Sequence, residues 1–268
     1  MEFDIYTVTQ KCLHLIENTA LFVREERAKW EMKDLKHKAD TSLVTSIDVG
    51  VEERLVEGLK EILPEAEFLA EENHNTEQNS DLFWIIDPID GTTNLVHNFP
   101  MYCISVALHH EGKTIIGIIY EITSGECFWA HEGQEGAYLN QKRIYVSEAD
   151  TVEKSLIATG FPPNAFPNLD KYLKEFRALM TATQGIRRLG SAAMDLAYVA
   201  CGRCDGFFEY SLKPWDVAAG AYLVQKAGGK VTDFSGGDNY LFGGEMLATN
   251  SVIHNELSKY FILVVNGR

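Results

Sequence analysis

Two aspartates, Asp87 and Asp90, stand three residues apart in the stretch "WIIDPIDGTTNL", at the end of an apolar run over residues 82–86. Like charges that close raise one another's pKa unless a cation compensates. Asp-Pro-Ile-Asp-Gly is also a composition that turns favour, so the pair alone decides nothing. Other carboxylates shift the balance. Glu71 and Glu72 follow "EFLA", where a second short apolar strand leaves its sheet. Asp216 follows "LKPW" and stands before "VAAGAYLVQKAGG", a helical pattern in which an N-cap is its ordinary role. Asp48, after "SLVTSI", is likewise near a helix start, where a carboxylate interacts favourably with the helix N-terminus. Together these place four or five carboxylates at the ends of elements able to converge. Oxygen donors without a His or Cys companion suit a hard ion, Mg2+ above all or Mn2+. A bridging carboxylate suits two ions about 4 Å apart.

The "GTTNLV" segment supplies a complement to those charges. Glycine lets backbone approach a ligand closely, and Thr92 or Thr93 is placed to cap a short helix whose free amides would face an anion. Carboxylate-held metal beside a helix N-terminus makes a site for a phosphate. Phosphoryl transfer to water is the natural reaction.

The elements that must position these residues divide the chain into two patterns. From Asp4 to Trp30 apolar residues recur at helical spacing, and a second helix is expected from Ile47 to Leu63, with Pro64 beyond its end. Then follow strands, "AEFLA", "LFWIID", "MYCISVALHH", "KTIIGIIYEI", "ECFWAH" and "GAYLN", punctuated by hairpin-like turns. After "SEADTVEKS" strands and helices alternate: "LIAT", the "GFPPN" turn, a helix from Leu169 to Thr181, "GIRRL" leading to a helix at Ser191, then "DGFFEY", a helix opened by Asp216, "GKVTDF" and "MLATN". A soft boundary near residue 150 separates an α+β lobe (1–149) from an α/β lobe (150–268). No linker makes them independent, so a layered α/β arrangement of two sheets and flanking helices is expected.

Bulk properties narrow the function. With 24 basic and 39 acidic residues the formal net charge is −15, which argues against a nucleic-acid partner, since backbone affinity rests on clustered Lys and Arg. No apolar run reaches the length of a membrane span, and the N-terminus lacks a secretory pattern. The five scattered cysteines, Cys12, Cys103, Cys127, Cys201 and Cys204, read as reduced thiols of a cytoplasmic protein. Cys201 and Cys204 have CxxC spacing but no second pair for zinc. His97, His109 and His110 are expected to be surface or structural, "DLAYVACG" a core-facing helix, and Phe83, Trp84 and Phe128 sheet packing. Arg187 and Arg188 could support a phosphate or pair with nearby acids, and are expected as a solvated pair.

Four segments in register, "LAEEN", "WIIDPIDGTTNLVHNFP", "RRLGSAAMDLAYVACGRCDGFFEY" and "KPWDVAAGAYLVQKAGG", carry a family resemblance over residues 36–233. The chain resembles the inositol monophosphatase family of the lithium-sensitive, metal-dependent sugar-phosphatase superfamily, in its bacterial-type branch. The resemblance implies a five-layered αβαβα fold and a homodimer. It implies a Mg2+-dependent phosphomonoesterase acting on a small phosphorylated substrate, inositol monophosphate first. NADP(H) and fructose 1,6-bisphosphate are the alternatives on the same site, and a binding or regulatory module the second alternative. By the same resemblance Glu71, Asp87 and the Ile89 carbonyl hold a first ion, and Asp87, Asp90 and Asp216 a second. Glu71 with water serves a weaker third. Thr92, aided by Asp48, orients the attacking water, and the Gly91 and Thr92 amides grip the phosphate. Glu209, with Gly190, Ser191 and Ala192, contacts the alcohol portion, beside Asp90. Members commonly carry an Asp shortly before "VT", where this chain has Ser42 and a displaced Asp40. Neither Lys36 nor Lys38 in that connector is assigned a role.

Overall fold

The computed structural model describes residues 3–29, 36–37, 43–75, 80–161 and 168–263. Helix α1 (Ile5–Lys29) buries Val8, Cys12, Ile16, Ala20 and Val23, one stripe at helical spacing. A short ribbon of β1 (Lys36–His37) and β2 (Leu43–Val44) leads into α2 (Ser46–Ile62). Both helices pack on one face of a seven-stranded sheet. Its strands lie in chain order: β3 (Glu67–Ala70), β4 (Leu82–Asp90), β5 (Cys103–His110), β6 (Lys113–Glu121), β7 (Cys127–His131), β8 (Ala137–Leu139) and β9 (Lys142–Ile144). Within this sheet, among the described residues, β3 and β4 pair in parallel and the other neighbours antiparallel. The short helix α3 (Thr92–Val96) joins β4 to β5.

The second sheet has the order β11 (Gly185–Arg187), β10 (Leu156–Thr159), β12 (Gly206–Tyr210), β14 (Glu245–Thr249) and β13 (Lys230–Thr232). Between the two sheets lie α5 (Ala192–Ala200) and α6 (Pro214–Lys226), whose Met194, Leu196, Leu223 and Val224 share one core with Ile119 of the first sheet and Phe207 of the second. The outer face of the second sheet is covered by α4 (Leu169–Ala182), α7 (His254–Leu257) and α8 (Lys259–Leu263) over Tyr172, Phe208 and Phe261. The result is five layers, αβαβα. The expected core residues Trp84, Phe128 and Phe83 are buried, and α5 is buried along almost its whole length.

Local features near the site and at the sheet edges depart from the sequence-based expectation. Asp87-Pro88-Ile89-Asp90 is strand, not turn: β4 continues to Asp90. Its pairing with β5 passes from Asp87 opposite Ser105 to Asp90 opposite Cys103, three residues against two. The extra residue is a bulge, which accommodates a proline that has no N–H to give the ladder. Residues three apart on a regular strand face opposite ways; the bulge restores the parity and puts Asp87 and Asp90 on one face. Strands β9 and β11 were not expected, and each is a three-residue edge strand too short to show alternation. Asp216 does not open its helix as the cap. Lys213 is the N-cap, Pro214 follows, and Asp216 lies at the third helical position. Trp30, Lys38, Asp40, Ser42 and the Pro162-Pro163-Asn164 part of "GFPPN" lie outside the described residues, and of Lys36 only the backbone is described.

Candidate active site

The start of α2 fixes Asp48. Thr45 is the N-cap; its hydroxyl accepts from the amides of Ile47 and Asp48, at 3.1 and 3.4 Å. In return Asp48 Oδ2 accepts the Thr45 amide at 2.8 Å and the Thr45 hydroxyl, a reciprocal capping box. The other oxygen, Oδ1, accepts the Thr92 hydroxyl at 2.9 Å, while the Ile89 carbonyl lies 3.2 Å from the same hydroxyl. The helix-terminal role expected of Asp48 is therefore real, and it leaves one oxygen for Thr92. Burial pushes the Asp48 carboxyl up, and the hydrogen bonds from Thr45 oppose it.

Thr92 is the first residue of α3, and neither threonine caps it. The N-cap is Gly91, at φ +97°, a left-handed conformation that side chains disfavour. Its first turn leaves amides without helical acceptors.

Glu71, Asp87, Asp90 and Asp216 line one cavity of about 270 Å3, together with Ile89, Gly91 and Thr92. Parallel pairing sets Ala70 opposite Ile86, and the Glu71 amide donates to the Ile86 carbonyl at 3.2 Å, so Glu71 arrives beside Asp87. Glu72 does not line the cavity. Asp90 Oδ2 accepts the Ser191 hydroxyl at 2.7 Å and the Ala193 amide at 2.6 Å, which ties β4 to the start of α5. Asp216 Oδ2 accepts the Lys213 amide at 2.6 Å.

Electrostatics concentrate at this place. Burial, then Glu71, Asp90 and Asp216, hold the Asp87 carboxyl well above its ordinary value. Burial likewise lifts Asp90 to about 6 against the Ala193 and Ser191 hydrogen bonds. Asp216 is raised by burial and by Asp90. One oxygen of Asp87, Oδ1, is buried with no hydrogen-bond donor. Among the described residues no three His, Cys, Asp or Glu side chains already form a ligating cluster; the carboxylates border the cavity instead of closing on a point. The donors still fit a hard divalent cation. All are oxygens, they repel one another, and one buried oxygen lacks a partner.

A second cavity, of about 200 Å3, adjoins the first and shares Asp90, Arg188, Gly190 and Asp216 with it. Ser191, Ala192 and Glu209 line it. Glu209 lies against Gly160 so closely that a Cβ there would stand 1.9 Å from its Oε1, so a side chain at this position would displace the carboxylate. Burial, then Asp216 and Asp90, keep the Glu209 carboxyl well up.

One charged lining residue was not singled out by the sequence. Asp195 is buried with Oδ1 unpartnered; the signal was a carboxylate inside an otherwise apolar helical stripe. Arg188 lines both cavities and acts to lower the carboxyls of Asp90, Asp195 and Glu209, the pairing with nearby acids that the sequence also allowed. Arg187 and Arg188 are both exposed, as anticipated. None of His97, His109 and His110 lines either cavity, and all five cysteines are free thiols.

Known proteins share this architecture. The profile of the Inositol monophosphatase family matches residues 7–263. The Nus factor SuhB of Pseudomonas aeruginosa is 42% identical over 213 residues, 78% of each chain. Among solved structures, the extragenic suppressor protein suhB from Bartonella henselae aligns with a TM-score of 0.88 at 36% identity, covering 95% of this chain and 98% of its own. An IMPase from Thermotoga maritima aligns at 0.85 and 34% identity, covering 94% and 96%. The match spans both sheets and every residue of both cavities, and on it the chain belongs to the inositol monophosphatase family.

Proposed function

We propose that the chain is a Mg2+-dependent phosphomonoesterase that hydrolyses a small phosphorylated alcohol, inositol monophosphate in the first instance. The observation that carries this reading is the Thr92 hydroxyl, bonded to a buried Asp48, at the rim of a cavity walled by four carboxylates. Glu71, Asp87 and the Ile89 carbonyl would hold one ion, and Asp87, Asp90 and Asp216 a second, with Glu71 and water serving a third. When bound, Mg2+ supplies charge that neutralises the carboxylates and the leaving oxygen and makes nearby water more acidic.

The chain's own groups do the rest. Because Thr92 donates its proton to Asp48 Oδ1, its lone pairs are left to accept from the attacking water. As the water gives up its proton, Thr92 passes its own to Asp48, whose burial suits it to receive one. Thr45, occupying Asp48 Oδ2, holds the carboxylate in orientation. The Gly91 and Thr92 amides bind phosphate oxygens. The water oxygen bonds to phosphorus and the ester P–O bond breaks with its electron pair on the alcohol oxygen, which takes a proton from solvent. Asp48 later returns the proton it accepted to solvent, so that one water is consumed. Gly190, Ser191, Ala192 and Glu209 receive the hydroxyls of the alcohol. Glu209 accepts any suitably placed hydroxyl, so NADP(H) and fructose 1,6-bisphosphate are alternative substrates on the same site. A homodimer, a cytoplasmic setting and inhibition by Li+ accompany the reading.

The test is phosphate release with Mg2+ from inositol 1-phosphate, NADP+, fructose 1,6-bisphosphate and adenosine 3′,5′-bisphosphate. Inositol 1-phosphate is expected to be turned over fastest, with Glu209→Ala altering the order of preference. Turnover of none would favour a second reading, a binding or regulatory module, to which the Nus factor name of the Pseudomonas relative points.

A further inference from the structure

Glu52 has no part in the chemistry above, yet it is 0% exposed on α2. It lies one helical turn beyond Asp48 and therefore on the same face of the helix. Burying a carboxylate is unfavourable unless donors replace its water, and for packing alone an apolar residue would suffice at this place. Its donors all come from one loop. Oε2 accepts the Glu72 amide at 2.8 Å, and Oε1 accepts the Asn73 amide at 2.7 Å and the His74 amide at 3.0 Å. The His74 ring adds Nδ1 at 2.8 Å from Oε1. Four donors match the number of lone-pair sites a carboxylate offers, about four. Three successive amides form an anion-binding concavity, occupied here by a side chain of the protein itself.

The loop begins with Glu71. Its amide is held on the other side by the Ile86 carbonyl, at 3.2 Å, and the preceding Ala70 amide donates to Asn75 Oδ1 at 3.0 Å. Backbone before and after Glu71 is thus fixed to β4 and to α2. We propose that Glu52 is a positioning residue that presents Glu71 to the cation site and thereby sets the affinity of that site for Mg2+. The proposal rests on the reading of Glu71 as a cation ligand.

The test is calorimetric titration of the full chain with Mg2+, alongside amide hydrogen exchange at residues 72–74, for the wild type, Glu71→Ala, Glu52→Gln and His74→Ala. Glu52→Gln keeps the shape but loses acceptor capacity. It is expected to weaken Mg2+ binding 10- to 100-fold, the usual range for an outer-shell group, and to speed exchange of the three amides. His74→Ala, whose side chain is 37% exposed, spares the core and is expected to shift both readouts the same way by less. Should Glu52→Gln fail to fold, His74→Ala decides the matter. If Glu71→Ala weakens Mg2+ binding while Glu52→Gln and His74→Ala bind as the wild type does, the positioning role is wrong, whatever their melting temperatures. If the wild type does not bind Mg2+, or Glu71→Ala binds equally well, the reading of the site fails and takes this proposal with it.

Discussion

Asp87 is buried between three other acids, and one of its oxygens meets no donor. Such an arrangement is unfavourable in the protein alone and becomes favourable once a cation is shared. Asp87→Asn is therefore expected to cut turnover by a factor on the order of 10^3 or more. In metal-free buffer the variant should unfold no lower than the wild type, because the amide carries no charge to repel. Steady-state phosphate release and thermal unfolding in EDTA check the two halves, and turnover at the wild-type rate would contradict the two-ion assignment. The sequence exposed this residue through the company it keeps, two acids at the end of an apolar run. It could not expose that Asp87 and Asp90 face the same way, since that depends on a bulge around Pro88. Nor could it mark Asp195 or Glu52, which occupy helical positions where an apolar stripe or a solvated acid would read alike.

Each element that reaches the cavity presents more than one group. The face of α2 that turns Asp48 toward Thr92 also carries Glu52, so one helix orients the carboxylate that accepts the Thr92 hydroxyl and anchors the Glu71 loop. The end of β4 contributes Asp87, Ile89 and Asp90, and its exit into α3 passes through Gly91. That glycine is fixed by its surroundings: a Cβ there would lie 3.0 Å from the Met101 carbonyl and 3.3 Å from that of Gly190, in a left-handed conformation. Gly91→Ala is expected to cost about 1–2 kcal/mol for the backbone alone. For a chain of this size that lowers Tm by roughly 2–8 °C. Activity should fall further than stability, since α3 carries Thr92; an active, equally stable Gly91→Ala protein would show that this junction tolerates movement. Long periodic elements such as α1, α2, α4 and α6 were legible within a few residues, because their apolar stripes face a core. The edge strands β9 and β11 were not, being held by neighbours and not by a pattern of their own.

At the scale of the molecule, the middle layer joins what the chain order separates. Helices α5 and α6 contact both sheets, so Asp216 and the Ser191–Ala193 clasp on Asp90 meet Glu71 and Asp87 from the first sheet. The convergence gathers negative charge, and stability should report it. In the unfolded chain Asp titrates near 3.9, whereas in the metal-free fold Asp90 stands at about 6 and Asp87 and Asp216 are also raised. The native state then binds more protons than the unfolded one between those values. Its stabilisation is complete below about pH 4 and is lost as pH rises through about 6. His254 works in the opposite sense: burial lowers it to about 4, so its contribution grows as pH rises toward 6.5. A single unfolding curve would mix the two, but the difference between Tm with Mg2+ and Tm in EDTA removes His254, which lies outside both cavities. Mg2+ requires the carboxylates ionised, so its affinity rises as they lose their protons. The Tm difference is therefore expected to be small at pH 5 and to widen steadily to pH 7. Scanning calorimetry at fixed Mg2+ checks it, and a difference that stays flat over that range would mean that the raised carboxylates are not where the ion binds.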